Sequence, residues 1–403
     1  MARLAVPSWV RILAVLALPA CAPTVAAPPT TAQAPQEPPP FAVEPPPSVI
    51  TEPLGPGTAD GRVQVALLLP LSGSAAEIGQ GMLNAAQLAL FDVAGDQFEL
   101  LPRDTKGTPQ GAVAAANDAV AAGADLILGP LFAAEVSAVK PVAQSANLRM
   151  LAFSNDWSLA GQGTWTMGLV PMEQVRRVTG YARSQGISRL GGLVPRSAYG
   201  DAVMRALQDA TQPGGSTLVR VERYDPAAPD PSSAVRALAS GGTSAFDGVV
   251  LAEGGDRLRV LAPMLPFYEI DPRRVRLLGT GLWDEPATWR EPQLAGGWYA
   301  APDPEARADF EQRYQEFFGR RPPRLATLAY DAAALSAVLA RNAGPAPFGD
   351  ANLTNPNGFA GADGIFRLLP NGLVERGLAV LEIQPSGPRV VDPAPETFQA
   401  IGF

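Results

Sequence analysis

The sequence predicts an α/β protein of two lobes, each a doubly wound, mainly parallel sheet. Apolar runs of strand length, such as VQVALLL at Val63–Leu69, suit strands buried on both faces. Such runs alternate with helical stretches, the rhythm of βαβ units whose sheets are covered on both sides. Seven or more units of this kind exceed one compact core, so the roughly 340 residues that carry them should divide into two lobes.

Taken in order, the first strand at Val63–Leu69 is followed by a helix over residues 77–91, with Ile78, Met82, Ala85 and Ala89 on one stripe. Residues 97–102 read as the second strand. Thr108-Pro109 then gives an N-cap with proline at the first helical position, and Gly123 stops that helix. Residues 125–128 form a third strand, 134–145 a helix and 148–153 a fourth strand. The rhythm returns with strands at 189–193, 216–224, 246–251 and 275–278, separated by helical stretches. The end of the chain differs: residues 364–369 and 373–383 flank Asn371-Gly372, a strong hairpin signal.

Before the first strand lie a leader and a tether. Arg3 and Arg11 are the only charges of the leader, Ile12 to Leu18 is its apolar stretch, and Ala20 is a small residue at the cut. Seven apolar residues are too few to span a bilayer as a helix, which takes about 20. Cys21, the one cysteine of the chain, follows at once. Residues 22–60 contain twelve prolines, four acidic residues and no Lys or Arg. That composition cannot bury a core and favours an extended polyproline-rich chain. Its upper limit of reach is about 120 Å at ~3.1 Å per residue.

Composition removes several kinds of chemistry. The chain has 31 basic and 39 acidic residues, a net charge of −8 that becomes −10 without Arg3 and Arg11. No basic run stands out, so nucleic acid is a poor partner. The absence of histidine and the single cysteine exclude His-based triads, Cys-His pairs, an internal disulfide and almost every zinc site. No catalytic residue, metal site or cofactor is therefore expected. Ser137-Ala138-Val139-Lys140 spells the S-x-x-K of penicillin-recognising enzymes, but no lysine follows Lys140 to complete their later motif. Gly79-Gln80-Gly81 with Asn84 imitates a dinucleotide fingerprint, yet it stands too far behind the first strand. A helix N-terminus packed close to its sheet explains it better.

Several segments resemble known families. Leu18-Pro19-Ala20-Cys21 is similar to the lipobox of bacterial lipoproteins, which implies lipidation of Cys21 and a membrane anchor. "VALLLPLSG" (65–73), "ILGPL" (127–131), "MLAFSN" (150–155), "SAYGDAVMRALQDA" (197–210) and "FEQRYQEFFGRRPPRLATLAYDAAAL" (310–335) occur in the order seen in type I periplasmic binding proteins of the branched-chain amino-acid-binding group. That resemblance covers residue 61 to the end. It implies two lobes joined by crossovers, with residues 61–167 and 283–345 in lobe 1 and 168–282 and 346–403 in lobe 2. A ligand would sit in the cleft at the carboxyl ends of the strands. Carried over, the cleft residues are Ser72, Gly73, Leu131, Phe132, Ala133, Ala134, Ser154, Asn155, Tyr199, Glu253, Trp283, Asp284 and Glu285, with Glu253 or Asp284 placed to receive an ammonium group.

The loop after the third strand, which in amino-acid-binding relatives supplies hydroxyls for the ligand carboxylate, here reads Phe132-Ala133-Ala134. That departure, with the lipobox and tether, resembles penicillin-binding protein activators of the LppC or LpoA type, although their N-terminal helical repeat domain has no counterpart. This second resemblance implies a lipoprotein on the periplasmic face of the outer membrane of a Gram-negative bacterium. It would bind and stimulate a class A penicillin-binding protein, the cleft holding at most a small polar ligand. The alternative is a solute-binding lipoprotein receptor for amino acids or similar ligands, feeding an ABC importer or a sensor.

Overall fold

A computed structural model describes residues 62–93, 98–211, 215–240, 242, 245–342, 344 and 346–398, all within one compact unit, Pro53–Phe403. Cys21, the leader and the proline-rich tether lie outside the described residues. The first sheet holds β1 (Val63–Leu69), β2 (Phe98–Asp104), β3 (Leu126–Leu128), β4 (Arg149–Ala152) and β5 (Thr164–Thr166) in the order β2-β1-β3-β4-β5, all parallel. The chain then enters a second sheet with β6 (Arg189–Pro195), β7 (Thr217–Tyr224), β8 (Gly248–Leu251), β9 (Arg276–Gly279) and β10 (Trp298–Ala301). A small antiparallel meander follows, β11 (Phe359–Gly361), β12 (Gly364–Leu368) and β13 (Val374–Arg376). Finally β14 (Ala379–Gln384) and β15 (Gly387–Asp392) complete the second sheet as β15-β14-β10-β9-β8-β6-β7. The two-lobed α/β fold expected from the sequence is the one observed.

The strands form where the apolar runs lie. The last five residues of β1 are buried, as are all of β3 and β8, because helices cover both faces. Thr108 caps the helix Pro109–Ala121, its hydroxyl accepting from the Gly111 N–H, and Asp303 caps Pro304–Phe318 through the Glu305 N–H. Gly79 answers the question of the glycine-rich stretch. A Cβ there would stand 2.1 Å from the Pro70 carbonyl oxygen, so the helix Ala76–Val93 can lie against the end of β1 only through a glycine. Gly200 does the same against Pro195 behind β6, at 1.9 Å. Lys140, half of the S-x-x-K pattern, donates to the Leu159 carbonyl at 2.9 Å; it ties a helix to a loop.

Two expectations need correction. Residues 373–383 are not one strand. Asn371-Gly372 makes the expected hairpin, with Gly372 at φ +85° and the Leu373 N–H bonded to the Asn371 side chain, but only as far as Arg376. At Gly377 the chain leaves the meander and pairs with β10 in the other sheet. The lobe boundaries shift with it. Trp298–Ala301, expected in lobe 1, is a strand of the second sheet. Phe348, Leu353, Phe366, Leu368 and Val374, expected in lobe 2, are buried in the core built on β1 and β3. The chain thus passes between lobes near residues 167–170, between β10 and the helix Pro304–Phe318, and at 376–378.

The last passage is pinned by a buried ion pair. Arg376 (side chain 3% exposed) donates to Asp331 (0%) at 3.0 Å and to the Met167 carbonyl at 3.2 Å. The Ala362 N–H also donates to Asp331, at 2.6 Å. Burial pushes the Asp331 carboxyl up to about 6, opposed by Arg376 and reinforced by Asp363.

Candidate ligand cleft

The loops that follow the strands supply the site, and lobe 2 supplies its most developed part. Tyr199 opens the helix after β6, and its hydroxyl shares a 2.6 Å hydrogen bond with Thr280 behind β9. Glu253 follows β8. Its carboxylate accepts from the Tyr224 hydroxyl at the end of β7 and from the Gly254 N–H at 3.1 Å. Burial, with the Glu253 charge close by, drives both tyrosine hydroxyls far above their ordinary range. They are therefore neutral donors and acceptors at every physiological pH. Leu282, 41% exposed, stands beside Gly254. Tyr199 and Glu253 were expected here; Tyr224, Thr280 and Leu282 were not.

On the lobe 1 side, the Ser72 hydroxyl donates to Asp104 at 2.6 Å, and the same carboxylate accepts from the Leu71, Ser72 and Lys106 N–H groups. These bonds hold the Asp104 carboxyl below its usual range against the opposing effect of desolvation, the largest single influence. Ser72 thus knits two loops together, and Gly73 (φ +81°) gives the bend beside it. Leu131 is buried. Phe132 is 38% exposed, its ring leaning toward Gly107, while Ala133 is half-buried and Ala134 exposed. Ser154 is buried and its Oγ accepts from the Asp156 N–H at 3.0 Å; Asn155 is exposed.

One residue that the motif-by-motif reading passed over changes the electrostatics. Glu135, with no exposed surface, accepts the Phe132 N–H at 3.2 Å. A carboxylate already sits at the amino end of the helix Ala133–Ser145, where a ligand carboxylate would otherwise be stabilised. Burial raises the pKa of Glu135, with bonds from Thr105 and the Phe132 N–H opposing it.

The loop after β9 departs from expectation. Trp283 has no exposed surface; its ring fills the space left by Gly279 and Gly297, and its Nε1 donates to the Glu253 carbonyl at 3.1 Å. It supports the cleft from behind and does not line it. Asp284 accepts from Tyr299 at 3.2 Å and faces Arg307 and Arg324 at 3.8 and 3.7 Å. Those arginines also reach Asp363, at 3.8 and 3.1 Å. Asp284 is thus occupied by a charge cluster and is not placed to receive an ammonium. Glu285 is exposed.

The lobes meet at a pair that strand-end reasoning did not find. The Arg205 guanidinium, on the helix behind Tyr199, lies 4.3 Å from the centre of the Trp157 ring, and Trp157 belongs to the turn after β4. A cation over an indole face is the favoured aromatic pairing for arginine.

A sequence profile described as periplasmic binding protein matches residues 62–388. The chain belongs to the periplasmic binding protein family. Among solved structures it is similar to a putative branched-chain amino acid ABC transporter protein of Rhodospirillum rubrum, with 18% identity, a TM-score of 0.72, and 82% of this chain and 100% of that one covered. It also resembles a Rhodopseudomonas palustris solute-binding protein in complex with benzoate (16% identity, TM-score 0.60, covering 84% and 97%). A third is the substrate-binding protein LivJ of Streptococcus pneumoniae in complex with isoleucine (17%, TM-score 0.59, covering 82% and 100%). At these identities the likeness shows the fold alone. An uncharacterised protein of Rickettsia prowazekii (strain Madrid E) is 21% identical over 220 residues; the match spans 53% of this chain and 59% of that relative's length. The family's own description is that of a binding protein.

Proposed function

We propose that the protein is a periplasmic solute receptor whose cleft holds a small molecule presenting an ammonium or amide donor to Glu253. The observation that carries this is the pair of hydrogen bonds Tyr224–Glu253 and Tyr199–Thr280 at neighbouring strand ends, with Arg205 and Trp157 meeting from opposite lobes. Glu253 stands half-buried at its strand end, where a hydrogen bond to a charged donor gains most. Glu135 speaks against a ligand carboxylate docking on the helix behind Phe132. The family, and structural neighbours named as transport proteins, favour this reading over stimulation of a peptidoglycan synthase. Cys21, in its lipobox, would anchor the receptor to a membrane through its tether.

The test is thermal unfolding of the purified chain against a panel of amines, amides and amino acids. A ligand at 100 times its Kd adds about 2.7 kcal/mol, or about 4 °C for a unit of this size. Glu253→Gln should abolish the shift while leaving the unliganded midpoint in place. A panel without any hit would defeat the reading.

The synthase-activator reading keeps one observation in its favour: Phe132 stands where a hydroxyl would hold an amino acid. Assaying glycan polymerisation by a class A penicillin-binding protein, with and without the chain, separates the two; severalfold stimulation would favour the activator.

A further inference from the structure

A pocket of about 380 Å³ opens behind the hinge, away from the strand-end loops. Its walls come from the first turns of the helix Pro171–Ser184 (Glu173, Arg176), the crossover at Arg376 and Leu378, and the C-terminal stretch at Pro395 and Phe398. It shares Glu173, Arg376 and Leu378 with a smaller recess against Gly168, Leu169 and Val170. Two of the passages between lobes therefore border it.

The polar groups around it are nearly all engaged. Arg176 bonds Glu173 at 2.8 Å and Glu375 at 3.3 Å. Arg177 donates to Asp392 and to the Leu378 and Pro393 carbonyls. Arg376 spends Nη1 on Asp331 and Nη2 on Met167, but its buried Nε–H has no acceptor. A guanidinium N–H left unbonded in a side chain 3% exposed is costly. Beside it are the apolar surfaces of Leu378, Pro395 and Phe398.

We propose that this pocket is a second small-molecule site, separate from the interlobe cleft. Its ligand has an apolar body against Leu378, Pro395 and Phe398 and one acceptor oxygen, carboxylate or carbonyl, on the Nε–H of Arg376. Glu173 and Glu375, the two carboxylates of the lining, are both paired with Arg176.

The test uses the full chain, with benzoate, benzamide and benzylamine as probes. Binding is followed by NMR through the arginine Nε–H and leucine methyl signals. Benzoate or benzamide should move the Arg376 Nε–H and Leu378 methyl signals, and benzylamine, which offers a donor to a donor, should not. Phe398→Ala, in a half-exposed tail position, should weaken benzoate about tenfold through loss of one aromatic wall. Glu253→Gln should leave benzoate binding unchanged, so that failure of the cleft reading and failure of this one are told apart. No shift at millimolar benzoate or benzamide would overturn the proposal. So would shifts confined to Tyr199 and Glu253, or benzylamine binding as tightly as benzoate.

Discussion

Replacing Arg376 by methionine keeps most of the side chain's bulk and removes its charge. Asp331 would then be left with no exposed surface, one backbone N–H as donor, and the buried carboxylate of Asp363 nearby. Removing one partner of a buried pair costs about 3–5 kcal/mol. Unfolding entropy scales to about 0.7 kcal/mol per degree for a unit of this length, so the midpoint should fall by about 4–7 °C.

The loss should depend on pH in a definite direction. Burial already raises the Asp331 carboxyl to about 6 with Arg376 present, and without the guanidinium it rises further. A carboxyl raised in the folded state adds stability below its unfolded pKa and loses it as pH rises through the folded value. The deficit of Arg376→Met against the parent should therefore be small near pH 5 and full near pH 8. Scanning calorimetry at both pH values measures it. The double variant Asp331→Leu/Arg376→Met, which leaves neither charge behind, should recover most of the loss. A deficit below about 1 kcal/mol, or one flat with pH, would refute the view that a desolvated ion pair pins this crossover.

Gly279→Ala would place a methyl 2.1 Å from the Trp283 ring, overpacking the support of the cleft; we expect at least about 1–3 kcal/mol lost in denaturant titration, and a neutral outcome would contradict the tight ring placement. Arg205→Ala removes the cation from the Trp157 face. It should cost no more than about 1 kcal/mol yet change tryptophan fluorescence of the ligand-free protein; an unchanged spectrum would mean the lobes do not touch there in solution. Cys21→Ser should move the protein from the membrane pellet to the soluble fraction, since several acyl chains on one residue are what hold such an anchor. Continued sedimentation with membranes would remove Cys21 as the attachment.

The parallel strands were legible because burial on both faces leaves a trace, an apolar run of strand length, in β1, β6 and β8 alike. The split at Gly377 left none. Residues 374–376 and 379–384 differ from one long strand only by two intervening residues, and which sheet each half joins is decided by partners far off in sequence, β12 for one and β10 for the other. The cleft was half legible for a related reason. That side chains at strand ends face the ligand follows from topology, and it located Tyr199 and Glu253. It gives no direction for a side chain one step further on. Trp283 occupies such a position, yet Gly279 and Gly297 leave a hole of its size beneath the loop, and burying an indole there outweighs displaying it. The same preference explains Asp284: beside Arg307 and Arg324 a carboxylate is better spent between fixed cations than held ready for a ligand. The residues left over for binding are those that the packing of the lobes could not absorb, and Glu253, bonded to the Tyr224 hydroxyl and the Gly254 N–H, is a half-buried carboxylate of that kind.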